Sequence, residues 1–153
     1  MSGFVAGGSA PSGEIRSDSF WPTIDLDRLR ATLRIDSSVS TPRLETAAIA
    51  AVINVNRELA EWRATQQAAG YAKLADVPGD TVNDVSTLVH LYHRAVEAST
   101  GAEVCERYRS YDTTSAGSQN AEELTPSVDE YRRDQRWAIR DFLGRPRSTV
   151  ELI

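Results

Sequence analysis

The two histidines, His90 and His93, stand three residues apart. On a helix that spacing sets both imidazoles on one face, as two metal ligands would be. A metal site needs a third and a fourth ligand, and the thiol of Cys105 lies about three turns further along the same predicted helix. The pair therefore reads as part of a partly solvated helix face. Cys105 falls on the small-residue stripe Ala98, Ala102, Cys105, where a thiol behaves as a small core residue rather than an activated nucleophile. Carboxylates gather at Glu122-Glu123, Asp129-Glu130 and Asp134, but they alternate with Arg132, Arg133, Arg136 and Arg140. Such alternation marks an ion-paired, solvated helix face, whereas paired-carboxylate catalysis needs acids converging from separate elements. Gly7-Gly8 has no strand before it and does not read as a phosphate-cradling loop. These residues predict no enzyme, no cofactor and no metal site.

What remains is the chemistry of recognition. Arg107, Tyr108, Arg109 and Tyr111 cluster at the end of one predicted helix, and Arg132, Arg133, Arg136, Trp137 and Arg140 share the last one. The chain closes on Arg145, Pro146 and Arg147, followed by Val150, Leu152 and Ile153. Tyr, Trp and Arg are the side chains most enriched as interface anchors. An extended apolar tail can add a strand to a partner's sheet or fill a groove. All basic residues except Lys73 are Arg, which suits interface ion pairs, although codon usage in a GC-rich genome produces the same bias.

Bulk properties narrow the classes further. A net charge of −5 over 153 residues opposes general affinity for nucleic acid, which needs a concentrated basic surface. No run approaches the ~20 apolar residues that span a bilayer, and Met1 to Ser19 lacks the basic start and apolar block of a secretory signal. A single cysteine implies no disulfide framework. The expected location is the cytoplasm or a particle assembled in it.

The elements that must position these residues are helical. Asp25 is a candidate cap for a short helix carrying Leu26, Leu29 and Leu33. Thr41-Pro42 opens a long helix to about Ala69, Thr as cap and Pro at the first helical position. Its stripe is Leu44, Ala48, Val52, Val55, Leu59 and Trp62, widened by Ile49, Ile53 and Ala60, with Gly70 ending it. Tyr71 to Gly79 is a connection that tacks Leu74 and Val77 onto the core. Thr81-x-x-Asp84 resembles a capping box ahead of a helix bearing Val85, Leu88, Val89, Tyr92, Val96, Ala98, Ala102 and Cys105. Gly101 is a soft spot of about 1 kcal/mol where that helix is expected to bend or break. After the polar stretch Asp112–Asn120, Thr125-Pro126 repeats the earlier opening. Val128, Tyr131, Ala138 and Phe142 face inward on a last helix, Trp137 and Ile139 beside them, and Gly144 and Pro146 stop it. The expected fold is all-α: an antiparallel helical bundle of about four helices over 20–144, with a flexible N-terminal arm (1–19) and an extended C-terminal tail (145–153).

Stretches from Phe20-Trp21-Pro22-Thr23-Ile24-Asp25 to the last residue resemble the head completion proteins, gpL type, of contractile-tailed temperate phages. The similarity runs through Thr41-Pro42-Arg43-Leu44, Gly70-Tyr71, Leu74-Ala75-Asp76-Val77-Pro78, Arg94-Ala95-Val96 and Glu106-Arg107-Tyr108-Arg109. It continues through Asp112, Asp129-Glu130, Arg133-Asp134 and Arg136-Trp137-Ala138 to Gly144-Arg145-Pro146-Arg147. No single stretch is specific; their common order and spacing carry the resemblance. It implies a structural adaptor at the head-to-tail junction of the virion, assembled in the host cytoplasm. Such a protein forms a ring beneath the portal, twelve copies to match it, closing the packaged head and presenting a surface to a neck or tail protein. Packaged DNA would be a passing neighbour only, and no membrane is involved. By the same resemblance Arg145, Pro146, Arg147, Val150, Leu152 and Ile153 would dock on the portal protein. Arg107, Tyr108, Arg109, Arg132, Arg133, Arg136, Trp137 and Arg140 would join neighbouring copies. Two alternatives stand beside this: another neck or tail-completion subunit, and a small helical DNA-binding regulator.

Overall fold

The computed structural model describes residues 13–108 and 126–147. Five helices and two small ribbons make up the described chain. Strand β1 (Glu14–Ile15) pairs antiparallel with β2 (Ile24–Asp25), Ile15 opposite Ile24. Helix α1 (Leu26–Thr32) follows directly, capped as its sequence implies: Asp25 Oδ1 accepts from the amides of Asp27 at 2.8 Å and Arg28 at 3.0 Å. Helix α2 (Thr41–Glu58) and helix α3 (Ala60–Ala68) are nearly one rod, interrupted at Leu59. Ser40, not Thr41, occupies the cap position, and no side-chain cap bond forms, so Pro42 does the starting by its preset φ. Gly70 ends the rod at φ +99°, the left-handed residue that closes many helices.

The connection then makes one 3-10 turn (Leu74–Asp76), held by the Leu74 amide donating to the Phe20 carbonyl at 2.9 Å. Leu74 and Val77 are buried, as expected. The expected capping box at Thr81–Asp84 does not form. Instead β3 (Thr81–Val82) and β4 (Val85–Ser86) are a hairpin whose turn residues Asn83 and Asp84 both have positive φ, +50° and +59°. Two consecutive left-handed residues define the turn that matches strand twist, and Asn-Asp tolerates it. Helix α4 (Thr87–Tyr108) starts after the hairpin, with Ser86 Oγ accepting the Leu88 amide at 3.2 Å. Val85 therefore sits in a strand and is exposed, not on the helix face. Helix α5 (Val128–Phe142) has a complete capping box, in which Ser127 and Glu130 satisfy each other's amides. The cap is Ser127, two residues after the Thr125 expected for it.

Helix α4 is the axis of the fold. Residues 98–103 are buried without a break, because Ala98, Ser99, Thr100, Gly101 and Ala102 let neighbours approach from every side. Arg43 lies over the ring of Tyr108 and the Tyr92 hydroxyl donates to Asn56, so α2 runs antiparallel to α4. Arg132 reaches Glu106 near one end of α5 while Phe142, at its other end, joins the cluster around Tyr92, so α5 is antiparallel too. The result is mostly helical, as expected, but beside the three long helices it has the shorter α1 and α3 and two ribbons. Gly101 does not break α4, which runs unbroken through it. A Cβ there would stand 2.5 Å from Tyr131 Cε1, so glycine is required by close packing of α5.

At one end of the core, Phe20 and Trp21 insert between the helices. Trp21 stacks on Tyr92 with centroids 4.8 Å apart, and Trp62 meets Phe142 edge-on at 4.6 Å. Ile15 is 8% exposed and belongs to this core. The expected arm is thus packed structure from Gly13 onward, since β1 is tied to β2 and Gly13 accepts the Leu26 amide at 3.0 Å. Residues 1–12 of that arm lie outside the described residues. Ile49 and Ile53, expected to widen the buried stripe of α2, are 42% and 51% exposed, and Ala47 and Ala51 fill that role. The stripe turns toward α4, and the smaller side chains allow the closer approach.

Candidate functional site

The arginine-rich face of α5 divides into two parts. Near its start, Arg132 is held inside the subunit. Its Nη2 lies 3.0 Å from Glu106 Oε2 and 3.4 Å from Glu103 Oε1, and its Nη1 donates to Gln135 at 3.3 Å. Glu103 is buried and also holds Arg107 at 3.2 Å, four residues along α4. Gln135 passes the network to Glu58 of α2 at 3.3 Å. A charge placed this deep needs paired, hydrogen-bonded partners, and the network supplies them while joining all three long helices. Arg107 and Arg132, both expected between subunits, thus have acidic partners within the subunit. Tyr108 likewise packs beneath Arg43, whose guanidinium carbon is 5.4 Å from the ring centre. Arg109 lies outside the described residues.

Toward the end of α5 the arrangement is different. Trp137 lies under two guanidinium groups, those of Arg133 and Arg147, each 4.7 Å from the ring centre. Arg147 also grips Asp141 through both its Nε, at 3.2 Å, and its Nη2, at 2.6 Å. This bidentate bond holds the Asp141 carboxyl below its ordinary range and pushes the Arg147 guanidinium up. Arg140 Nη1 donates to the Pro146 carbonyl at 3.0 Å, and the Arg145 amide to the Arg140 carbonyl at 2.8 Å. Gly144 reverses the chain at φ +66°. The segment Arg145–Arg147 is consequently folded back onto α5, and the chain leaves it beside Trp137.

The structure thus brings Arg133, Trp137, Arg140 and Arg147 into one clamp. Arg136 and Arg145 remain exposed outside it, and Arg136 borders a shallow groove with Asn54 and Arg57. Val150, Leu152 and Ile153 lie outside the described residues. Asp141 was missed by the sequence reading, though a signal existed: Arg133, Trp137 and Asp141 recur every four residues and so share a helix ridge. Glu103, Glu58 and Gln135 were missed as well. Beyond the local pairs Glu103–Arg107 and Arg132–Gln135, their partners come from other helices, and no local spacing announces that.

The two histidines have different neighbours. His90 Nε2 lies 2.9 Å from the Val82 carbonyl of the hairpin. His93 faces α1, where burial first and then Arg28 lower its pKa. Glu97, one turn beyond, is raised by burial, with Arg28 opposing. Among the described residues no group of three or more His, Cys, Asp or Glu side chains is placed to hold a metal ion, and no helix is long and apolar enough to cross a membrane. Cys105 is buried.

A family model described as phage head completion protein (GPL) matches residues 15–153. The match begins at Ile15, the first buried residue among those described, five positions ahead of the similarity noted from Phe20. The chain is also similar to the head completion/stabilization protein of Escherichia phage P2, with 38% identity over 146 residues covering 94% of this chain and 86% of that one. No solved structure matches.

Proposed function

Because the chain belongs to the phage head completion protein (GPL) family, a family of virion structural proteins rather than enzymes, we propose that it completes the packaged head as an adaptor ring beneath the portal. In this reading twelve copies sit side by side on the portal, close its exit and offer a surface to a neck or tail protein. The single observation that supports it most is the clamp at the end of α5. Asp141 and Trp137 fix Arg147 in direction, so the six residues Ser148–Ile153 start from a rigid mount. A short apolar segment on a fixed base loses less entropy on docking than one on a loose base. Arg145 and Pro146 would flank the docking segment, with Val150, Leu152 and Ile153 burying apolar area on the portal. Arg136, exposed between α2 and α5, suits contact with an acidic face of the neighbouring copy, together with Arg133 and Arg140 at the clamp.

The test uses portal rings and native mass spectrometry. The full chain should add a discrete ring of copies to each portal. A chain lacking Ser148–Ile153 should keep its helix content by circular dichroism and lose that association. Unaltered association of the shortened chain would remove the tail from the mechanism. Failure of the full chain to associate at any salt concentration would remove the portal.

A further inference from the structure

The outer face of α2 carries what folding alone does not require. Ile49 and Ile53 are one turn apart and about half exposed. With Val52 and Ile15 they line a shallow groove between α2 and β1, and Glu45 borders it. Counting by fours, Glu45, Ile49, Ile53 and Arg57 form a single ridge along the helix. Glu45 and Arg57 lie at equal distances on either side of the two isoleucines, about 18 Å apart at 1.5 Å per residue. Both are exposed, and neither side chain has a hydrogen-bond or ion-pair partner among the described residues.

A ridge that reads acid, apolar, apolar, base is complementary to itself when one copy is reversed. We propose that this face pairs two copies of the chain about a two-fold axis, α2 crossing α2 antiparallel. In that register Ile49 of each copy meets Ile53 of the other, and Glu45 of each meets Arg57 of the other. Both matches occur at once because the charges and the isoleucines share one midpoint, at Ala51. A two-fold contact demands this reciprocity of one surface patch. The antiparallel sense follows from the charges, since a parallel pair would set Glu45 on Glu45 and Arg57 on Arg57. The contact is small: one helix face buries at most ~1,200 Å² in total, so association is weak. It leaves α5, its clamp and the C-terminal segment uncovered. A two-fold pair turns one copy upside down relative to the other, which a cyclic ring does not allow. The pair is therefore a state of the free protein, opened before a ring forms; only this consequence rests on the adaptor reading.

Sedimentation equilibrium on the full chain alone, without portals, tests the pairing. The wild type should show a monomer–dimer equilibrium between about 1 μM and 1 mM. Ile53→Asp should abolish it. Glu45→Arg and Arg57→Glu should each raise the dissociation constant about tenfold, because every single swap sets like charges together at both ends. The double swap Glu45→Arg with Arg57→Glu should return to within about threefold of wild type, since it restores both pairs in reversed sense. All variants alter exposed positions, and circular dichroism verifies that each is folded. A constant monomer mass for the wild type overturns the proposal. So does a dimer indifferent to Ile53→Asp, or a double swap no better than the singles, which would mean that something else covers this ridge.

Discussion

Gly101→Ala is the sharpest probe of how the three long helices meet. In an exposed helix the change stabilises by about 1 kcal/mol, because alanine loses less backbone entropy. Here the new methyl would stand 2.5 Å from Tyr131 Cε1 and 2.7 Å from both Cδ1 and Cζ, where carbon atoms normally keep ~3.5–4.0 Å. The ring must retreat by roughly 1 Å, and it cannot do so freely because Tyr131 is buried between α4 and α5. Overpacking of this kind costs about 1–3 kcal/mol. The strain exceeds the propensity gain, and the variant should lose about 1 kcal/mol, or roughly 3 °C in Tm. Urea unfolding followed by circular dichroism measures it, with the slope checked for constancy. Repeating the substitution in a Tyr131→Leu background removes the ring, and there Gly101→Ala should turn stabilising. The coupling between the two positions should thus be about 2 kcal/mol. If Gly101→Ala stabilises the wild-type chain as it would a solvent-exposed helix, then α5 does not press on α4 as described.

The same unfolding assay serves for the charge network. Arg132→Ala should cost about 2 kcal/mol, since it leaves Glu103 buried with Arg107 as its remaining partner. A loss of only a few tenths would make Arg132 a surface residue in energetic terms. His93 gives a pH dependence. Its folded pKa lies below its ordinary value of about 6.5, so the neutral ring is the form the fold prefers. The stability it contributes is complete above pH ~6.5 and is lost as pH falls through the lowered value. His93→Gln should flatten the stability profile on the acid side of neutrality. Glu97, raised by burial, acts in the opposite sense, contributing stability below its ordinary range that is lost as pH rises through its raised value. Glu97→Gln should therefore stabilise the protein at pH 7 and lose that advantage near pH 4. Equal slopes for the wild type and His93→Gln from pH 7 to 5 would show that α1 does not cover His93.

Much of the helical plan was legible in the sequence, because it depends on neighbours within a turn or two. The Asp25 cap, the Pro42 start, the Gly70 stop and the inward face of α5 all follow from bonds and clashes between residues no more than four apart. The family resemblance was legible for a different reason, since order and spacing over a whole chain survive without any one diagnostic motif. The hairpin at Asn83-Asp84 was open to local reading too, yet Thr81-x-x-Asp84 satisfies a competing local rule. Only the pairing of Val82 with Val85 decides between them. What tertiary structure alone decided lies between elements. Small residues from Ala98 to Ala102 look like a weak helix by propensity, but the neighbouring helices leave every one of them buried. Arg132 and Arg136 are chemically identical and one turn apart, and only the position of Glu103 and Glu106 on another helix commits the first and leaves the second exposed. Ile49 faces water while Ala48 is buried because α4 approaches α2 along its alanines. A hydrophobic pattern shows that a helix has an apolar side; which part of that side is covered depends on how closely its neighbour can come.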